Sequence, residues 1–389
     1  MTEQTAVESV ALQIKEDYCS NCSTCSSVCP YEAIRKDAET GKTLLEIEKC
    51  QVCGLCYSTC PAKAIDIIYY DVDSLTRYLK KAKQDYKSDT LVIMCKGSAP
   101  DFAGVEKLFG VKEFIPLSVP CVGRVPEEVF LEAIVMGIRK IDILACDEDY
   151  CRFEDGSSVA GRKIAALNLL LEQLGYGKEA LTLKRHSLKV KVDTDLCIAC
   201  GNCVFYCPYD AAKLESPGAV SFDLTLCRGC GLCVAMCPAI ALDLENWEKE
   251  RMSTLISELS AGIQKPKILV FRCQWAVFPS LDNGQLAPNI RVVDLPCASR
   301  VDTFHILEAF QQGIEGVMIV ACPEDDCKQE KGSARAQHSV AALEKRLSQI
   351  GLQDRLHFCT VAPRYPDEFD KELRQFSQKI ANIGSKESK

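Results

Sequence analysis

Long apolar runs are missing from this 389-residue chain: none approaches the roughly 18 residues of a membrane-spanning helix. No secretory leader is expected either, because Met1 to Asp17 is mixed and acidic, without a basic or an apolar region. The expected location is therefore cytoplasmic and reducing, which argues against reading the cysteines as disulfides. Neither G-x-G-x-x-G for a dinucleotide or flavin nor G-x-x-x-x-G-K-[ST] for a nucleotide phosphate occurs. Histidine is scarce, and His186, His305, His338 and His357 are scattered in sequence, so no histidine site is expected. Excess positive charge is also lacking. At a formal charge of −8 the chain is not expected to bind nucleic acid. The local stretch Arg77, Lys80, Lys81, Lys83, Lys87 reads as the solvated face of a linker helix, with a docking patch as the alternative. With no substrate motif, the chain is expected to be non-catalytic.

Cysteine, by contrast, is abundant. The chain has 25, and 24 of them form two copies of one pattern. The first copy opens with Cys19, Cys22, Cys25, Cys29-Pro30 and then Cys50, Cys53, Cys56, Cys60-Pro61; the second opens with Cys197, Cys200, Cys203, Cys207-Pro208 and then Cys227, Cys230, Cys233, Cys237-Pro238. The C-x2-C-x2-C-x3-C-P run is that of bacterial ferredoxins, where three cysteines wrap one [4Fe–4S] cluster and the fourth crosses to its neighbour. The expected sets are Cys19, Cys22, Cys25, Cys60; Cys50, Cys53, Cys56, Cys29; Cys197, Cys200, Cys203, Cys237; and Cys227, Cys230, Cys233, Cys207. Zinc ribbons use two pairs, not three cysteines and a crossing fourth, so zinc fits poorly here. The proline turns the chain away from the cluster. Gly54, Gly201 and Gly231 let backbone N–H groups approach sulfur, and Ser23 takes that place in the first run.

Each double run is followed by a wider quartet: Cys95, Cys121, Cys146, Cys151, and Cys273, Cys297, Cys322, Cys327. Cys95 to Cys273 repeats the 178-residue shift of Cys19 to Cys197, while Cys121 to Cys297 and Cys151 to Cys327 are 176 apart. Leu91–Met94, Ile268–Phe271, Ile141–Ala145 and Val317–Ala321 read as buried strands leading toward cysteines. Pro126 ahead of Val129, Ala133 and Met136 starts a helix. Ile164, Leu167, Leu171, Leu174 and Val340, Leu343, Leu347, Ile350 form one face of two more. Strand–helix–strand alternation predicts a parallel sheet, whose C-terminal edge would gather the distant thiols. Four thiolates hold [2Fe–2S], [4Fe–4S] or Zn²⁺, or remain free. Arg124 and Arg300 each follow the second quartet cysteine by three residues, and read either as donors to cluster sulfur or as surface ion-pair partners.

Strand-terminal Cys95 and Cys273, the Cys-x-x-Arg motifs and the Cys-x4-Cys pairs resemble the delta subunit of methyl-viologen-reducing hydrogenase. The resemblance covers roughly half the chain and implies a [2Fe–2S] cluster in each quartet. Where that family has a further cysteine, this chain has Ser98 and Ala276, which are not thiolate ligands. Cys359, outside both patterns, reads as a buried free thiol.

The expected fold is multidomain α+β and α/β, with two ferredoxin-like 2[4Fe–4S] modules alternating with two small parallel-sheet α/β modules. The ferredoxin modules span 10–70 and 188–245, and the delta-subunit-like modules span 88–187 and 265–365. Linker helices fill 71–87 and 246–264, and 366–389 is a C-terminal tail. Four [4Fe–4S] and two [2Fe–2S] clusters, at about −2 for each core with its four thiolates, would take the charge to roughly −20. The resemblance implies an electron-transfer subunit between a hydrogenase, formate dehydrogenase or other dehydrogenase and a heterodisulfide-reductase-like flavoprotein, including electron-bifurcating assemblies. The alternative is a free-standing soluble polyferredoxin.

Overall fold

Two units of nearly equal size make up the computed structural model, which describes residues 9–98, 101–215, 218–279, 281 and 286–387. The first unit comprises residues 1–187 with short segments 278–284 and 363–366; the second comprises 188–277, 285–362 and 367–389. Residues 1–8, on which part of the N-terminal reading rests, lie outside the described residues.

In the first unit, the double cysteine run folds around two short antiparallel pairs, Leu12–Ile14 with Ile65–Ile67 and Ile34–Lys36 with Thr43–Leu45. Two helices of one turn, Thr24–Ser27 and Leu55–Thr59, follow the cysteine loops. The second unit repeats this with Val190–Val192 against Leu242–Leu244, Ala212–Glu215 against Ala219–Phe222, and helices Asn202–Tyr206 and Leu232–Ala235. Such short elements bury little apolar surface, so ligand binding must supply much of their stability.

The parallel sheets form where sequence periodicity placed them. The first consists of β1 (Thr90–Cys95), β2 (Ile115–Val119), β3 (Lys140–Ala145) and β4 (Leu181–Arg185), in spatial order 2-1-3-4. The second repeats it with β5 (Ile268–Cys273), β6 (Ile290–Leu295), β7 (Gly316–Ala321) and β8 (Leu356–Thr360), in order 6-5-7-8. All pairings are parallel. The central strands β1, β3, β5 and β7 are nearly continuous apolar runs because helices cover both faces.

Three helical expectations change in detail. Pro126 stands at the N-cap of helix Glu127–Val135, leaving Met136 past its end. Helix Gly156–Gln173 buries Ile164, Leu167 and Leu171, but Leu174 is past its end and exposed; Ile350, beyond helix Gly332–Leu347, is exposed likewise. The segment expected as a linker helix, 71–87, is helical over Val72–Tyr86 and capped by Asp71, whose carboxylate accepts from Ser74 N at 2.6 Å. It buries Leu75, Leu79 and Ala82 and donates from Tyr78 to the Pro116 carbonyl, so it is packed on its sheet, with Arg77, Lys80, Lys81 and Lys87 on the exposed side. The C-terminal segment is also more than a tail. Asp367–Glu387 is a helix that buries Phe369, Leu373, Phe376 and Ile380 against the second sheet. No helix among the described residues is long and apolar enough to cross a membrane.

Candidate metal centres

Four cysteine loops share one backbone geometry. The residue before each second cysteine has positive φ (Asn21, Val52, Ala199, Gly229), and so does the residue after it (Ser23, Gly54, Gly201, Gly231). Alternating left-handed residues bend the chain into a concave arc that turns N–H groups inward, as an anion-binding nest does. Ser23 adopts φ 65° and Gly54 φ 80°, so serine performs the glycine's turn. Val52 at φ 50° is β-branched in a region such residues avoid; a strain of about 1–3 kcal/mol there requires something that holds the loop. Glu32, Lys63, Asp210 and Ile240, three residues past the fourth cysteine of each run, are also left-handed.

These arcs enclose small cavities. Cys19, Cys22, Cys25 and Cys60 line one, and Cys197, Cys200, Cys203 and Cys237 line its counterpart. A third is lined by Cys227, Cys230, Cys233 and Cys207. The fourth cysteine of each run thus faces the other run's loop. For the remaining set the link is electrostatic: burial, then Cys53, Cys50, Cys29 and Cys25, push the Cys56 thiol far up. Cys233 is raised by burial and by Cys230, Cys227, Cys207 and Cys203. In each unit, then, an outer site (first run plus crossing cysteine) abuts an inner one. Cys22 and Cys200 in the outer sites are exposed, while Cys50, Cys53, Cys56, Cys227 and Cys230 in the inner sites are buried.

The wide quartets converge at the C-terminal edges of the sheets. Cys95 and Cys273 end β1 and β5, Cys121 and Cys297 follow β2 and β6, and Cys146 and Cys322 follow β3 and β7. A single 3-10 turn, Glu148–Tyr150 or Glu324–Asp326, brings in Cys151 or Cys327. The strand order reverses at β1 and β3, which opens the crevice that receives these residues. Within the first quartet, thiol donors Cys121 and Cys146 hold Cys151 down at about 3, and the same contact pushes Cys146 up to about 12 and Cys121 well above the usual range. Cys297 and Cys322 likewise hold Cys327 at about 2. Backbone N–H groups also aim at sulfur: Val122 N donates to Cys95 Sγ at 3.1 Å and Ser333 N to Cys327 Sγ at 3.4 Å. Thiol–thiol hydrogen bonds and burial push the Cys95, Cys121, Cys146, Cys297 and Cys322 thiols up. Cys273, like Cys327, is lowered, by its contact with Cys322, so most of these sulfurs stay protonated without a cation. Four converging sulfur donors with N–H groups aimed at them fit a polyvalent metal centre, in the outer and inner sites as in the quartets.

Ser98 and Ala276 occupy matching turns, with Ser98 N donating to Cys95 O and Ala276 N to Cys273 O, both at 3.0 Å. The Ser98 hydroxyl donates to the Cys95 and Leu144 carbonyls, so it serves the turn. Both arginines are fully buried, and neither is a surface ion-pair partner. Arg124 donates to the carbonyls of Val52 (3.3 Å) and Tyr69 and lies 5.3 Å from the Tyr70 ring. Arg300 donates to the Trp247 carbonyl from Nε at 3.0 Å. A Cβ on Gly54 would lie 2.9 Å from Arg124 Cβ, and one on Gly231 2.6 Å from Arg300 Cδ; glycine here is a matter of close approach. The arginines therefore bolt each inner loop to its quartet turn.

Sequence reasoning passed over two pairs of residues. Tyr31 has its hydroxyl pushed up by burial, then by charge on Cys53, Glu154, Cys151 and Cys121, which places it between the inner loop and the quartet. Tyr209 lines the inner cavity of the other unit and donates to Gln329 at 3.1 Å, two residues from Cys327. The signal was available as Cys-Pro-Tyr in the first run of each copy, against Cys-Pro-Ala in the second. Gly156 and Gly332 were also missed: a Cβ on either would lie 2.4 Å from Cys121 Sγ or Cys297 Sγ.

The rims of the outer sites differ. Leu196, Ile198, Phe205, Leu214 and Ile240 are 49–74% exposed around the second. Their sequence equivalents around the first are Tyr18, Ser20, Ser27, Lys36 and Lys63, all exposed.

Fold and site together define a multicentre thiolate protein with dicluster loops and sheet-edge quartets. The 4Fe-4S dicluster domain family matches residues 11–61 and 189–238, so [4Fe–4S] binding is the property of those segments. The family described as methyl-viologen-reducing hydrogenase, delta subunit, matches residues 91–193 and 268–384, more than half of the chain, and the chain belongs to it. Among relatives, the A chain of the ferredoxin/F(420)H(2)-dependent CoB-CoM heterodisulfide reductase of Methanosarcina acetivorans is 30% identical over 276 residues, 69% of this chain and 32% of the relative. The iron-sulfur D chain of the vhc F420-non-reducing hydrogenase of Methanococcus voltae is 28% identical over 126 residues, 31% of this chain and 88% of the relative. The iron-sulfur D chain of the F420-non-reducing hydrogenase of Archaeoglobus profundus is 27% identical over 126 residues, 31% of this chain and 92% of the relative. The chain spans about a third of the length of the heterodisulfide reductase subunits it matches.

Proposed function

We propose that this chain is an electron-transfer subunit that relays electrons between a hydrogenase, formate dehydrogenase or other dehydrogenase and a heterodisulfide-reductase-like flavoprotein. Four [4Fe–4S] clusters on the ferredoxin sets and two [2Fe–2S] clusters on the quartets, in alternating modules with the boundaries read from sequence, would supply one-electron storage. The chain's own residues hold these centres in order. The observation that carries the reading is the sequence outer site, inner site, quartet within each unit, with Arg124 and Tyr31, or Arg300 and Tyr209, filling the last joint. Burial of the inner and quartet thiols excludes water, and the exposed outer loop gives a partner access.

Unlike rims support two unlike partners, one held by apolar burial around Phe205 and one met through polar and basic groups around Lys36 and Lys63. The relatives include both heterodisulfide reductase and hydrogenase subunits, which supports the same pairing of partners. Anaerobic pull-down with the tagged native chain tests it. Recovery of a flavoprotein of the heterodisulfide-reductase type together with a dehydrogenase is expected, and Phe205→Glu should release one partner but not the other. A lone species near 43.0 kDa on native size exclusion would instead favour a free polyferredoxin.

A further inference from the structure

The one cysteine outside both repeats has partners that only the fold supplies. Cys359 and His357 lie two residues apart on edge strand β8, so their side chains leave the same face of the sheet. The C-terminal helix Asp367–Glu387 crosses that face and brings Glu372 to them. A His357 ring nitrogen, Cys359 Sγ and a Glu372 carboxylate oxygen all lie within 4.8 Å of one another, and His357 Nε2 to Glu372 Oε2 is 3.1 Å. The imidazole is fixed by stacking on Phe376, with centroids 5.4 Å apart and planes 19° apart. Phe369, Phe376 and Ile380 anchor the helix beneath, so the three donors sit on a packed support and not on a loop.

We propose that His357, Cys359 and Glu372 form a mononuclear divalent-metal site, with zinc the fitting ion, separate from the cluster centres. One nitrogen, one sulfur and one carboxylate oxygen suit a borderline ion, and three protein ligands leave a fourth tetrahedral position for water. Zinc bonds of about 2.0–2.3 Å place neighbouring donors roughly 3.3–3.8 Å apart, so the present trio needs only a contraction of about 1 Å. His357 and Glu372 are each about a third exposed (35% and 34%), which gives the ion an entry path. The site belongs to the second copy alone. Strand register aligns Leu181 with Leu356, which puts Thr182 and Lys184 where His357 and Cys359 stand. Beyond β4 the chain runs directly to the strand Val190–Val192, with no helix in the place of Asp367–Glu387. The ion would tie the C-terminal helix to the edge strand.

The test is zinc content of the anaerobically prepared, cluster-loaded full chain after equilibration with one equivalent of Zn²⁺ and gel filtration. One zinc per chain is expected, lost in Cys359→Ser and in His357→Gln while iron content stays unchanged. Zinc-edge X-ray absorption of the unaltered chain gives a readout independent of the variants, with one sulfur near 2.3 Å and nitrogen or oxygen ligands near 2.0 Å expected. Absence of retained zinc, retention in both variants, or a shell of four sulfurs from a quartet would each overturn the proposal.

Discussion

Replacing Gly156 by alanine adds one carbon at the most crowded point of the first quartet. An ideal Cβ there lies 2.4 Å from Cys121 Sγ and 3.4 Å from Cys151 Sγ. Ordinary contact between carbon atoms begins near 3.5 Å and sulfur is larger, so Cys121 must retreat by more than about 1 Å. It has nowhere to go within the site, because it is engaged with both Cys95 and Cys151 and fully buried. Overpacking of this kind costs about 1–3 kcal/mol, equivalent to roughly 5- to 150-fold in occupancy of a four-sulfur centre. Gly332 repeats the geometry, with Cys297 Sγ at 2.4 Å and Cys327 Sγ at 3.5 Å. With all six proposed clusters filled the chain carries about 20 iron atoms; each variant should lose about two, and the double variant about four, with the [4Fe–4S] signals retained. Gly161→Ala, in the same helix, is the control: its nearest contact is the far end of the Arg185 side chain at 3.3 Å, and no cysteine sulfur is near it, so full iron is expected. Full iron and an unchanged [2Fe–2S] spectrum in Gly156→Ala would refute the reasoning, because the quartet would then not close on Cys121.

Further outcomes follow from the same geometry. Cys60→Ala should convert the outer centre, not the inner one, to a three-iron form visible by EPR, because Cys60 lines the cavity of Cys19, Cys22 and Cys25. Arg124→Ala leaves the buried Val52 and Tyr69 carbonyls without their donor and should cost about 2–5 kcal/mol in anaerobic chemical unfolding, more than Arg124→Lys. Lys163 is buried and donates to the Gly123 and Val125 carbonyls beside Cys121, while the equivalent position in the second copy is Ser339. Removing that positive charge in Lys163→Met disfavours the more negative reduced state, so the first quartet's potential should fall by tens of mV, on the order of 1–2 kcal/mol of screened interaction, and the second's should not, as read by EPR-monitored titration. An equal shift in both quartets would contradict this assignment.

Much of this protein was legible as sequence because thiolate chemistry imposes local spacing. Three cysteines at intervals of three residues can wrap only a tight loop, and a crossing fourth follows from the reach of that turn, so the four proposed ferredoxin sets could be written down without tertiary information. Apolar runs ending in cysteine placed the parallel strands for a similarly local reason: a strand covered on both faces has no polar side to show. The tertiary structure decided what depends on packing between segments far apart in the chain. Arg124 and Arg300 follow their cysteines as a cluster donor would, and the packing adds a second role, in which Gly54 and Gly231 leave room for a guanidinium that reaches the carbonyls of Val52 and Tyr69 or of Trp247. The segment 366–389 carried helical amphipathicity that only the edge of the second sheet could use. His357 and Cys359 were a scattered histidine and a spare thiol until a strand turned both to one face and that helix brought Glu372 across. Sequence spacing fixes ligands that are neighbours along a loop; ligands that meet across a sheet and a helix exist only once the chain has packed.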